Sequence, residues 1–220
     1  MSALLELTDV RHGYDGRGVL NGVSLTVREG ECVVLLGENG SGKSTLLRLA
    51  AGRELPQSGS VTLRGTTVSE DDRSVRATVA TVLDSGVGYP DLRVHEHLML
   101  VALAHGLGDA AADAVDRVLA EHHLTERADA LPHQLSSGQS QLLSLAQAFV
   151  RPAELLLLDE PEQRLDADAR ARLAGRLRAA GERGTAVLLA THNRELADAV
   201  ADTEYTVSGA GLLVTGVLGG

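Results

Sequence analysis

The stretch GENGSGKST, Gly37 to Thr45, follows a short apolar run and opens a segment of helical pattern. Its G-x-x-x-x-G-K-S spacing suits a loop whose backbone N–H groups cradle phosphates, because glycines permit positive φ and close backbone approach. Glu38, Asn39, Gly40 and Ser41 fill the loop between Gly37 and Gly42. Lys43 is then a point charge for β- and γ-phosphates, and Ser44 offers a hydroxyl to Mg2+. A glycine turn without a ligand would need neither the lysine nor the two hydroxyls of Ser44 and Thr45. Later, ELLLLDE presents Asp159 and Glu160 at the end of a four-leucine strand, the place where doubly wound sheets bind ligands. There Asp159 can reach Mg2+, and Glu160 can point at a water attacking a γ-phosphate. A third stretch, LSSGQS from Leu135 to Ser140, sets two hydroxyls and a glycine ahead of an apolar helix. With its N–H groups and positive dipole end facing out, it has the makings of a second anion site.

These groups need elements to hold them. LLELTDVRHGY and VLNGVSLTVREG alternate apolar positions, with Gly or Asn at turns, and read as β. ECVVLL is a continuous apolar run, as a buried parallel strand requires. KSTLLRLAAG reads as a helix closed by Gly52, and GSVTLRG and RATVATVLD as further strands. From about Gly86 to Pro152 the period changes: RVHEHLMLVALAHG, DAAADAVDRVLAEHHL and QSQLLSLAQAFV carry apolar residues at helical spacing. Strand ELLLLDE, helix DADARARLAGRLRAAG, strand TAVLLATH and helix NRELADAVAD follow, and EYTVSGAGLLVTG closes as an edge hairpin. Alternating βα units imply a mostly parallel sheet with helices on both faces. The expectation is one α/β domain over 1–220. It has a P-loop core (1–85 and 153–220), an N-terminal antiparallel β region and an inserted α-helical arm (86–152).

GENGSGKST, LSSGQ, LLLLDEP, Leu165–Asp166 and the ATH of Ala190 to His192 occur in the order found in ATP-binding cassette (ABC) ATPases, which the chain resembles over essentially its whole length. The resemblance implies ATP and Mg2+ as ligands, and a head-to-tail dimer with ATP at the interface. In such a dimer LSSGQ of one subunit closes over phosphates held by the other subunit's GENGSGKST. That answers why one chain carries two anion sites. Carried over by position, Tyr14 matches the aromatic that stacks on adenine. Ser136, Ser137, Gly138 and Gln139 match the signature acting in trans, with Ser137 in place of the commoner second glycine. Asp166 matches the residue crossing the interface beside the catalytic water, and His192 the histidine that contacts γ-phosphate and steadies Glu160. Asp84 falls where the family has a glutamine touching Mg2+ and the attacking water, and the anion there is the main departure. The implied role is the energy-coupling subunit of a transporter whose transmembrane permease is a separate chain. It would dimerise with itself or a homologous ATPase subunit. The alternative is a soluble cassette ATPase acting on a ribosome, DNA or an assembly scaffold.

Composition agrees with these expectations. A net charge of −10 argues against a nucleic-acid partner, which normally meets a basic stripe. The N-terminus lacks the basic region of a signal peptide, and no apolar run is long enough to span a bilayer. The expected location is cytoplasmic, peripheral on the inner face of the cell membrane. Cys32, the single cysteine, excludes a disulfide framework and reads as a small buried residue. His95, His97, His122 and His123 have no cysteine beside them and read as solvated helix positions rather than metal ligands.

Overall fold

Alternating burial builds the first layer. In β1 (Ala3–Tyr14) and β2 (Arg17–Arg28) the apolar residues turn to one side, and the strands join through Asp15 and Gly16. Both turn residues have positive φ, 50° and 76°, as a two-residue hairpin loop matching strand twist demands. With β4 (Ser58–Leu63) and the two-residue β5 (Thr66–Thr67) they form an antiparallel sheet in the order β2-β1-β4-β5. The computed structural model describes residues 3–83, 89–208 and 211–217.

The second sheet has the order β10-β9-β3-β8-β7-β6, with β3 (Cys32–Leu36), β6 (Val79–Val82), β7 (Leu155–Asp159), β8 (Ala186–Thr191), β9 (Thr203–Ser208) and β10 (Gly211–Val217). All neighbours are parallel except the terminal β9–β10 pair, which is the antiparallel edge expected from the sequence. Its central strands are apolar on both faces, and each face has its own core. Val33, Leu35, Leu155, Leu157 and Leu188 pack with helix α1 (Lys43–Ala50) and the antiparallel sheet. Val34, Leu156, Leu158, Val187 and Leu189 pack against α5 (Ser137–Phe149), α6 (Ala167–Glu182) and α7 (Arg194–Val200). A third cluster joins α3 (Val94–Ala104), α4 (Ala111–Glu121) and α5. Leu145 and Ala148 of α5 also belong to the second core, so this helix is shared between the two.

Two expectations are corrected. RATVATVLD is not one strand: helix α2 (Arg73–Thr78) covers its first residues, and β6 keeps only four. Asp72 starts that helix by accepting from Ser74 N at 2.7 Å and Ser74 Oγ at 2.8 Å. The Arg151 guanidinium donates to the carbonyls of Arg76, Ala77 and Val79, satisfying the helix end that periodicity alone could not reveal. His97 and His122 are not solvated but buried. The ring of His122 lies against Phe149 with its Nδ1 2.9 Å from the Val118 carbonyl, and His97 Nε2 lies 2.6 Å from the Tyr89 carbonyl. His95 and His123 are not buried.

Candidate functional site

Parallel register assembles the site. β3 lies beside β8 with Leu36 opposite Thr191, and β8 lies beside β7 with Ala190 opposite Asp159. The segments that leave these three strands therefore emerge together: the Gly37–Gly42 loop, the Asp159–Glu160 pair and the His192 turn. Gly42 caps α1 at φ 104°, a conformation that L side chains rarely adopt. Lys43 is only 5% exposed and bends back over its own loop, Nζ donating to the carbonyls of Gly37 (2.7 Å) and Glu38 (3.0 Å). Ser41 Oγ is buried in the loop with no hydrogen-bond partner. Thr45 is buried behind it, whereas Glu38 and Asn39 are exposed.

A cleft of about 530 Å³ opens here, lined by Asn39, Gly40, Lys43, Ser44, Asp159 and Glu160 among others. The Ser44 hydroxyl hydrogen-bonds Asp159. Burial raises the Asp159 carboxyl above its usual range, with the Ser44 bond acting the other way. Two hard-oxygen donors side by side, next to a lysine, suit a divalent cation carried in by a polyphosphate. Glu160 sits at φ 44° and is held by its own N–H donating to the Ala190 carbonyl at 2.8 Å. Its Oε1 is 3.1 Å from His192 Nδ1, and its Oε2 accepts from Gln163 Nε2.

Ser136, Ser137, Gly138, Gln139, Asp166 and Tyr14 do not line that cleft. Ser136 is the N-cap of α5: its Oγ accepts from Gln139 N at 3.2 Å, and Gln139 Oε1 accepts from Ser136 N at 2.9 Å, closing a capping box. Ser136 and Ser137 are exposed, and Gly138 packs against the Arg164 carbonyl. Asp166 is exposed and caps α6 by accepting from Ala169 N at 2.7 Å. Tyr14, 41% exposed at the end of β1, donates from its hydroxyl to Glu54 Oε2 at 2.5 Å and meets His12 edge-on. Asp84 lies outside the described residues.

Sequence reasoning missed two residues. Gln141 is buried and donates from Nε2 to the Pro161 carbonyl at 3.0 Å, tying α5 to the turn after Glu160. Glu162 is 4% exposed and accepts from Thr191 Oγ1. Its place two residues after Glu160 was the available signal, but only packing reveals that it points inward. Among the described residues no helix is long and apolar enough to cross a membrane.

A phosphate-type loop between a parallel strand and a helix, facing a carboxylate pair at the end of β7, two strands away in the same sheet, defines a P-loop fold with an added antiparallel sheet and helices. Residues 20–163 match the family model described as ABC transporter, and the chain belongs to that family. It is 36% identical over 201 residues to a Nod factor export ATP-binding protein I of Burkholderia lata, covering 91% of this chain and 66% of that protein. It is 39% identical over 197 residues to the protein of that name in Burkholderia pseudomallei, covering 89% of this chain and 65% of that protein. The chain thus spans about two thirds of the length of these relatives. Among solved structures, an ATP-binding subunit of an ABC transporter superposes with a TM-score of 0.89 at 31% identity, over 98% of this chain and 90% of that one. A dimeric ATP-binding cassette in a post-hydrolysis state, bound to ADP and Pi, has a TM-score of 0.90 at 24% identity, over 99% and 100% of the two chains, and supports the fold.

Proposed function

We propose that this chain hydrolyses ATP as the energy-coupling subunit of a membrane transporter, working as a head-to-tail dimer with ATP at the interface. The observation that carries the reading is the contact of Glu160 with His192 at the cleft lined by Lys43, Ser44 and Asp159. Lys43 meets the β- and γ-phosphates, with the loop N–H groups around them. Ser41 Oγ, buried and unpaired, is a further donor suited to a phosphate oxygen. Glu160 polarises the attacking water as general base, and His192 holds that carboxylate in place and meets the γ-phosphate. Mg2+, when bound, supplies charge stabilisation on the phosphate oxygens, and Ser44, Asp159 and Asp84 are the residues that would hold it. If Asp84 does so, Asp84→Gln should lower the free Mg2+ needed for half-maximal ATPase, and an unchanged Mg2+ dependence would remove it from the site.

The LSSGQ segment acts in trans, with Ser136, Ser137, Gly138 and Gln139 presented by the capped start of α5 and Asp166 crossing beside them. Tyr14 stacks on adenine. The reading treats 1–220 as one cassette domain, with core 1–85 and 153–220 and helical arm 86–152. It places the protein in the cytoplasm, on the inner face of the membrane, beside a separate transmembrane permease. The relatives' names as export ATP-binding proteins favour this over a soluble cassette acting on a ribosome, DNA or scaffold. Glu160→Gln is the test: it should keep ATP binding, lose roughly 10²–10⁴ in turnover, and persist as a dimer on gel filtration with Mg2+-ATP. A Glu160→Gln protein that stays monomeric and hydrolyses normally would reject the reading.

A further inference from the structure

Glu162 is a buried carboxyl beside an already anionic site, and that is a costly place for an acid. Its Oε1 accepts from Thr191 Oγ1, while Oε2 is buried with no side-chain partner. Burial raises its pKa, the Thr191 bond opposes that rise, and the nearby Glu160 charge adds to it. A well-packed apolar side chain would fill the same space without desolvating a polar group. Besides accepting from its own backbone N–H and lying near His192, the carboxyl supplies an acceptor for one side-chain hydroxyl.

That hydroxyl is well placed. Thr191 is fully buried at the end of β8, and its Oγ1 also accepts from Asn193 N at 2.9 Å. Asn193 Oδ1 in turn accepts from Leu196 N at 3.0 Å and caps α7. With Asn193 N donating to the oxygen, the Thr191 proton is left to point at Glu162. The chain Glu162–Thr191–Asn193 thus pins the residues on either side of His192, whose own side chain is more than half exposed and meets Glu160. On its other flank the Glu162 turn is fixed by Leu165 N donating to the Glu162 carbonyl at 3.1 Å and by Gln141 holding Pro161. One buried bond therefore links the turn carrying Glu160 to the turn carrying His192.

We propose that Glu162 is a positioning residue: through Thr191 it fixes the 191–193 turn that holds His192 against Glu160, and so sets the hydrolysis rate without touching the nucleotide. This rests on the reading of Glu160 and His192 given above. Glutamine keeps a carbonyl acceptor for Thr191, and leucine does not. Serine keeps the hydroxyl at 191, and valine removes it with little change of shape.

The experiment measures kcat and ATP affinity for Glu162→Gln, Glu162→Leu, Thr191→Ser and Thr191→Val, and repeats the Leu and Val changes in a His192→Ala background. Glu162→Gln and Thr191→Ser should stay within about threefold of the parent, while Glu162→Leu and Thr191→Val lose about tenfold or more in kcat with ATP affinity within about twofold. In the His192→Ala background the same two changes should cost less than about twofold, because the group they position is gone. Equal losses in both backgrounds, or full kcat in Thr191→Val, would overturn the proposal. Should Glu162→Leu fail to fold, Thr191→Val decides. Glu160→Gln measured alongside separates the two failures: if it is slow and the cycle is additive, only the role of Glu162 falls. If Glu160→Gln is fast, the base itself is misassigned and the proposal falls with it.

Discussion

Gly138 and Arg164 approach so closely that a Cβ placed on Gly138 would lie 2.9 Å from the Arg164 carbonyl oxygen. The start of α5 thus rests on the backbone of the turn that follows Glu160, and glycine is required there by packing before any nucleotide arrives. Gly138→Ala must push the two apart, and the neighbour is main chain rather than a flexible side chain. The nucleotide-free protein should lose about 1–3 kcal/mol of stability, the usual range for overpacking. A melting temperature unchanged from the parent would show that the turn yields freely.

Lys43 is the sole lysine of the sequence and is buried against its own loop carbonyls. Amine acylation followed by peptide mass spectrometry therefore reads one side chain, distinguishable from any α-amine by its peptide. Acylation of Lys43 should be slow in the free protein, should slow further with ATP present, and should abolish nucleotide binding in proportion to its extent. Modification that proceeds equally with and without saturating ATP, and leaves affinity intact, would separate Lys43 from the phosphates.

His122 gives a pH dependence of defined sign. Burial depresses its pKa from 6.5 to about 4, with Arg176 adding to the effect and the Val118 carbonyl opposing it. The unfolded chain therefore binds a proton between these values that the folded chain does not, and stability rises with pH across that window. The contribution is fully present above pH 6.5 and is lost as pH falls towards 4, amounting to about 3 kcal/mol in all. His122→Leu should flatten this part of the stability curve. Val118 O still receives the backbone N–H of residue 122 at 3.0 Å, so no carbonyl is orphaned. Parallel denaturant melts of the two proteins from pH 7 to pH 4 measure it, and curves that fall together would assign the acid sensitivity elsewhere.

Much of the site was legible because its chemistry is local. GENGSGKST and LLLLDE each combine a loop or strand signal with the side chains that use it, and most of the strands and helices around them followed from period and turn residues. What stayed hidden depends on partners distant in sequence. The helix at Arg73–Thr78 is finished by Arg151, more than seventy residues later, so RATVATVLD reads as strand when seen by itself. His97 and His122 look polar and solvated until Tyr89, Val118 and Phe149 are folded around them. Glu162 reads as one more acid in an acidic chain, and only the β7–β8 register brings Thr191 to it.

The central claim is that each ATP is held between the loop of one subunit and the LSSGQ of another. Ser136→Arg should abolish hydrolysis while leaving the affinity of the monomer for ATP nearly intact, since Ser136 does not line its own chain's cleft. Lys43→Ala should instead weaken ATP binding itself. The deciding measurement is steady-state phosphate release from an equimolar mixture of these two inactive proteins, with mixed dimers verified independently. A mixed dimer pairs one intact Lys43 loop with one intact Ser136 segment, so activity corresponding to about one working site per mixed dimer should return. Mixed dimers that form and yet release no phosphate would contradict a shared site.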